Sequence, residues 1–173
     1  MKYFRFLLIP FVLIVFTTIS CERDDICAEA TPTTPHLVIR FHDASNTDAT
    51  KVVRQLTILN EDDELYDSFT STDSILLPLR FQDENEITTT RFILKKDSDY
   101  DDDTDINTVS NSDTIDITYT PQFIYVSRAC GYKSIFNSTD LNVVDDGNKW
   151  IINRAILNST IDNENAAQII LYH

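Results

Sequence analysis

The chain has 173 residues, with 28 acidic side chains against 14 basic ones and a net charge of −14. That balance argues against a nucleic-acid partner, because neutralising phosphates takes clustered lysine and arginine, and Lys95-Lys96 is the only adjacent basic pair. With Gly131 and Gly147 as the only glycines, neither a dinucleotide fingerprint nor a P-loop can be written in this chain.

The N-terminus reads as an export address. Lys2 and Arg5 supply a charged start, residues 6–16 an apolar run, and residues 17–20 a polar, partly small-residue stretch before Cys21. Thr18-Ile19-Ser20-Cys21 resembles a lipobox, with Thr where Leu is usual, a departure similar to the relaxed lipoboxes of Bacteroidota. The resemblance implies cleavage before Cys21 and fatty (palmitate-type) acylation of that cysteine. The alternatives are an ordinary secreted protein and an uncleaved span. A span needs about 20 apolar residues, whereas Pro10 interrupts this run and Thr17 ends it. Loss of residues 1–20 would leave 153 residues with 12 basic and 28 acidic side chains, a net charge of −16. So acidic a surface is repelled by anionic lipid, and the acyl chains are expected to make the membrane contact.

Residues 21–35 are expected to form a lipid-anchored tether, stiffened at its end by Pro32 and Pro35. Of the three cysteines, Cys27 and Cys130 remain once Cys21 carries lipid. An even remainder in an oxidising compartment reads as one disulfide, the alternative being two free, buried thiols.

From residue 36 onward, short runs rich in Val, Ile, Thr, Phe and Tyr alternate with clusters of Asp, Asn, Ser and Thr, and no helical period is sustained. The expectation is an all-β, two-layer antiparallel sandwich of about eight or nine strands, a single domain over residues 36–173. In 36–43, Leu37, Ile39 and Phe41 should face inward, with His36, Arg40 and His42 outward. The same alternation appears at Ile75, Leu77, Leu79 and Phe81, and at Ile115, Ile117 and Tyr119. Pro78 lacks an N–H, so the strand around it is expected at an edge or broken there. Residues 51–59, 86–94 and 167–172 are further strands. Residues 122–128 and 150–157 carry apolar groups on both faces and should be central.

Residues 97–113 read as one long acidic loop. Asp97, Asp99 and Asp101, followed by Asp103 and Asp105, place carboxylates at every second residue, as at the start of a calcium loop. Asp102 stands where that loop needs its turn glycine and Thr108 where it needs its bidentate Glu, so no EF-hand is written here. A weak Ca²⁺ site of another kind is the candidate, and a solvated acidic loop without a basic neighbour is the favoured reading. No other metal and no cofactor is expected.

Catalytic patterns are sparse. His36 and His42 would lie roughly 20 Å apart on one strand, His173 is the last residue, and no His/Cys set has zinc spacing. There is no G-x-S-x-G elbow. A carboxylate pair for glycoside hydrolysis is the remaining catalytic option, although one Trp offers little aromatic platform for sugars.

Three stretches then carry a family resemblance: residues 21–27 (CERDDIC), 34–43 (TPHLVIRFHD) and 128–133 (RACGYK). Together they resemble an uncharacterised family of lipoproteins, a domain of unknown function, from Flavobacteriia and related Bacteroidota. The resemblance extends over the whole chain, implies lipidation and a Cys27–Cys130 pair, and brings no catalytic residues. Glu22, Asp24 and Asp25 resemble the acidic signal that sends some lipoproteins of that phylum to the outer face of the outer membrane. Asp73-Ser74-Ile75 and Asp113-Thr114-Ile115 resemble its O-glycosylation acceptors, Ser74 and Thr114 being the modified residues, although both also read as turns entering strands.

The resulting expectation is a lipid-anchored cell-envelope protein of the outer membrane, periplasmic or surface-facing. It would act as a non-catalytic binding or accessory module for an envelope protein or glycan. The alternatives are a small envelope hydrolase and an outer-membrane assembly partner docked through an edge strand.

Overall fold

A computed structural model describes residues 26–31, 33–99 and 109–173. The chain divides into two units, Met1–Pro32 with Tyr125–Tyr132, and Thr33–Ile124 with Lys133–His173. No helix occurs among the described residues.

The strands form a sandwich of two sheets that lies in the larger unit except for residues 125–127 and 131–132. One has four strands in the order β4 (Ser74–Leu77), β1 (Leu37–His42), β9 (Ile169–Tyr172), β8 (Asn153–Ile156). The other has five, in the order β3 (Leu65–Thr72), β2 (Val53–Asn60), β5 (Thr88–Lys96), β6 (Asn111–Ser127), β7 (Gly131–Val143). The all-β, two-sheet expectation holds, with nine strands among the described residues. β1 and β9 run parallel, Ile39 opposite Ile169 and Phe41 opposite Leu171, while the other registered pairs are antiparallel.

Period-two alternation produces the core. Leu37, Ile39 and Phe41 on β1 and Ile115, Ile117 and Tyr119 on β6 are all buried, and Leu94, Ile58, Leu77 and Leu171 close the space between them. Arg40 points outward, as its place between Ile39 and Phe41 dictates. β4 stops at Leu77, just before Pro78, and is an edge strand. The alternation that started it decays along the following segment, since Leu79 is buried but Phe81 is 63% exposed.

A closed polar cycle holds that segment down. The Tyr119 hydroxyl donates to the Arg80 carbonyl at 2.6 Å, the Thr90 hydroxyl lies 2.6 Å from the Tyr119 oxygen, and the Arg80 N–H donates to Thr90 Oγ1 at 3.3 Å. Each member satisfies the next, which is what a buried hydroxyl requires, and burial pushes the Tyr119 phenol up from its ordinary range.

Two expectations are corrected. Residues 122–128 are no separate central strand: 122–127 are the far end of β6, where Phe123 and Tyr125 are exposed, and Arg128 lies in the turn that follows. Residues 150–157 supply the four-residue edge strand β8, with Trp150 and Ile151 buried before it but Ile152 and Leu157 exposed. Apolar groups on both faces thus marked partly exposed stretches, with Trp150 and Ile151 the buried exceptions. β3 and β7 add two strands that the pattern left unmarked.

In the smaller unit, Cys27 and Cys130 are joined by a disulfide with their Cα atoms 4.8 Å apart. Cys130 ends the three-residue turn 128–130 between β6 and β7, and its N–H donates to Ser127 Oγ. Gly131 follows with φ +70°, the left-handed residue that a three-residue hairpin loop calls for.

Candidate functional site

Cationic groups of an acidic chain come together at one end of the sandwich unit. Lys51 and Arg54 bracket the start of β2, Lys96 ends β5, Lys149 precedes Trp150 and His173 follows β9. With Val52, Ile152 and Asp97 they line a cleft of about 440 Å³. Four of the fourteen basic residues are thus gathered round a single opening.

The floor is fixed by the only tryptophan. Trp150 is 4% exposed, donates its indole N–H to the Leu94 carbonyl at 3.1 Å, and tilts against Phe41 with ring centroids 6.1 Å apart. The His173 ring meets it edge-on at 5.6 Å, and Lys96 Nζ stands 5.8 Å from its centroid. A cation over an indole face is an attractive contact.

Asp113 anchors the backbone beneath. Fully buried, it accepts the Trp150 N–H on one carboxylate oxygen at 3.2 Å and the Ile151 N–H on the other at 2.7 Å. Burial raises its carboxyl above the ordinary range, and those two hydrogen bonds oppose the rise.

On the rim, Lys51 donates to the His173 carbonyl at 2.8 Å and lies 3.9 Å from Asp43. Lys149 lies 3.5 Å from Asp145. Arg54 reaches Asp97 at 2.8 Å and Asp99 at 2.9 Å, so both acids have a basic partner, contrary to the reading of that loop as lacking one. Burial lowers the His173 imidazole below its usual range, and the Lys51 and Lys96 charges add to the effect, while a hydrogen bond with the Lys51 carbonyl and the Asp43 charge oppose it. Val52 and Ile152, both well exposed, give the opening an apolar lip. Such an arrangement suits an anion with some apolar body.

The other sequence-stated sites are scattered. Cys21 lies outside the described residues, as do Asp101, Asp103 and Asp105. Asp97 and Asp99 face Arg54, and among the described residues no three His, Cys, Asp or Glu come together to hold a metal ion. His36 pairs with Glu164 at 2.7 Å, and His42 Nδ1 with the Thr47 carbonyl at 2.7 Å. Ser74 opens β4 and Thr114 lies within β6 opposite Ile93, both half-buried. A second hollow, lined by Glu61, Asp62, Thr89, Arg91 and Asp116, holds three carboxylates. There Arg91 grips Asp116 through two hydrogen bonds of 2.7 and 2.8 Å and holds its carboxyl below the usual range, the reverse of what a general acid needs.

Residues 51–173, most of the chain, match a family described as "Family of unknown function (DUF6452)", and the chain belongs to that family. The match takes in the 128–133 stretch and begins after 21–27 and 34–43. No curated protein and no solved structure matches.

Proposed function

We propose that this member of DUF6452 is a lipid-anchored protein of the cell envelope whose β-sandwich serves as a binding module for an anionic ligand of the envelope, an acidic glycan being the class that fits best. The observation carrying the binding reading is the cleft of Lys51, Lys96 and Lys149 over Trp150 in a chain of net charge −14. The lining sets four basic side chains against one acid, Asp97, and an excess of one sign of charge beside low-dielectric walls focuses the field on an incoming ion, although Asp43, Asp99 and Asp145 offset part of that excess from the rim. The apolar lip of Val52 and Ile152 suits the carbon skeleton of a uronic acid or similar ring better than a bare inorganic ion. The anchor half of the reading is supported by the apolar leader that ends at Cys21.

The test is titration with polygalacturonate, using neutral dextran as the control. Binding should weaken as salt rises, dextran should give no signal, and Lys96→Glu/Lys149→Glu should abolish the interaction with the fold retained by circular dichroism. Equal binding of dextran, or undiminished binding by the double variant, defeats the assignment of this cleft.

A further inference from the structure

We propose that the tip of the β6–β7 hairpin is a membrane-seating surface that occupies the interfacial zone of a zwitterionic bilayer; the inference rests on acylation of Cys21.

Chain length carries the first step. Six residues lead from Cys21 to Cys27, and a fully extended chain spans at most about 3.3–3.6 Å per residue, so Cys27 stays within roughly 20 Å of the lipid. The disulfide then holds Cys130, in the turn, with its Cα 4.8 Å from that of Cys27. The hairpin tip is therefore leashed to the bilayer surface by covalent bonds alone.

What the tip presents is suited to that place. Ile26 is 84% exposed, Tyr125 58% and Tyr132 70%, and the two tyrosine rings meet edge-on with centroids 5.4 Å apart. Tyrosine is enriched at the headgroup level of membranes because an apolar body and a polar tip are both satisfied there. Arg128, exposed in the turn, shares a groove with Ile26 and can lay its stem on apolar surface while its guanidinium meets phosphate.

Charge selects the kind of lipid. The described residues of this unit, 26–31 and 125–132, hold one acid, Glu29, and one base, Arg128, so their net charge is zero in a chain of net charge −14. Glu22, Asp24 and Asp25 precede them in the tether, which disfavours an anionic surface and leaves a zwitterionic one.

The experiment uses the full-length, acylated protein carrying Tyr132→Trp, bound to phosphatidylcholine vesicles with or without brominated acyl chains, acylation being verified first by intact mass. Trp150 is buried and serves as constant background, recorded from the wild type. The introduced indole should lose emission in brominated vesicles, the wild type should not, and adding Ile26→Ser/Tyr125→Ser should restore the emission. Equal emission in the two kinds of vesicle from acylated, vesicle-bound protein overturns the seating surface and leaves the anchor standing. A mass lacking acyl chains overturns the anchor, and the seating surface with it.

Discussion

Asp113 shows how much a single carboxylate can organise. It opens the inward face of β6 and binds two consecutive backbone N–H groups, fixing the Trp150 floor of the cleft. Asn at this position keeps one acceptor but turns an amide N–H₂ toward one of those donors, and Ala leaves both unsatisfied. Each buried orphan costs about 1–3 kcal/mol, so Asp113→Asn should destabilise by about that amount and Asp113→Ala by more, read from denaturant midpoints. Equal midpoints for wild type and Asp113→Ala would remove the anchoring role. His173 gives a pH signature. Its folded value is lowered by burial, so as pH falls through the unfolded value near 6.5 the unfolded chain takes up a proton that the native chain refuses. Stability should therefore decline from about pH 6.5 downward toward the lower folded value. His173→Gln should flatten that slope of melting temperature against pH; an identical slope counts against it. Neither role was legible locally. Asp113 looks like the end of an acidic run until Trp150 and Ile151, 37 and 38 residues on, supply the donors.

Strand legibility followed burial of one face. β1 and the first half of β6 bury every second residue and announce themselves, because alternation is the direct trace of a pleat with one side in the core. β3 is exposed along nearly its whole length, so no period could appear in its composition. β7 hides its pattern differently: Ser134 and Thr139 are buried polar residues, and Ser138 has a φ of 53°, which breaks the regular alternation. Residues 122–128 and 150–157 misled for the opposite reason, since apolar residues remained in view once the core was full. The Cys27–Cys130 pairing was accessible from parity only with Cys21 set aside for lipid, and from the family resemblance that implied it. Its 103-residue separation makes a quantitative expectation: in the chain-entropy model the link contributes about 4–5 kcal/mol. Cys27→Ser/Cys130→Ser should then lower the melting temperature by on the order of 10 °C. Coincident melts of oxidised wild type and the double variant would show that the bridge does not stabilise the fold.

At the scale of the molecule, the cleft and the proposed anchor differ in how a sequence encodes them. The cleft draws on residues 51–54, 96–97, 149–152 and 173, assembled only when β2, β5 and β9 take their places in two sheets, so its parts share no motif. The proposed anchor is contiguous: charge, apolar run, small polar stretch and Cys21 follow in order, as they would for an export pathway that reads an unfolded chain. That address leads to a prediction about where the protein resides. Each buried acyl methylene contributes about 0.8 kcal/mol, and more than one chain is needed for stable attachment, a condition that a fully processed lipoprotein cysteine meets. The polypeptide itself, with net charge −14, is repelled by anionic headgroups. Wild-type protein should therefore partition into the detergent phase on cloud-point extraction. Cys21→Ala should either move to the aqueous phase or accumulate at precursor mass, since cleavage awaits acylation. If Cys21→Ala keeps the mobility of wild type and still enters the detergent phase, the membrane attachment lies elsewhere and the seating of the β6–β7 tip loses its premise.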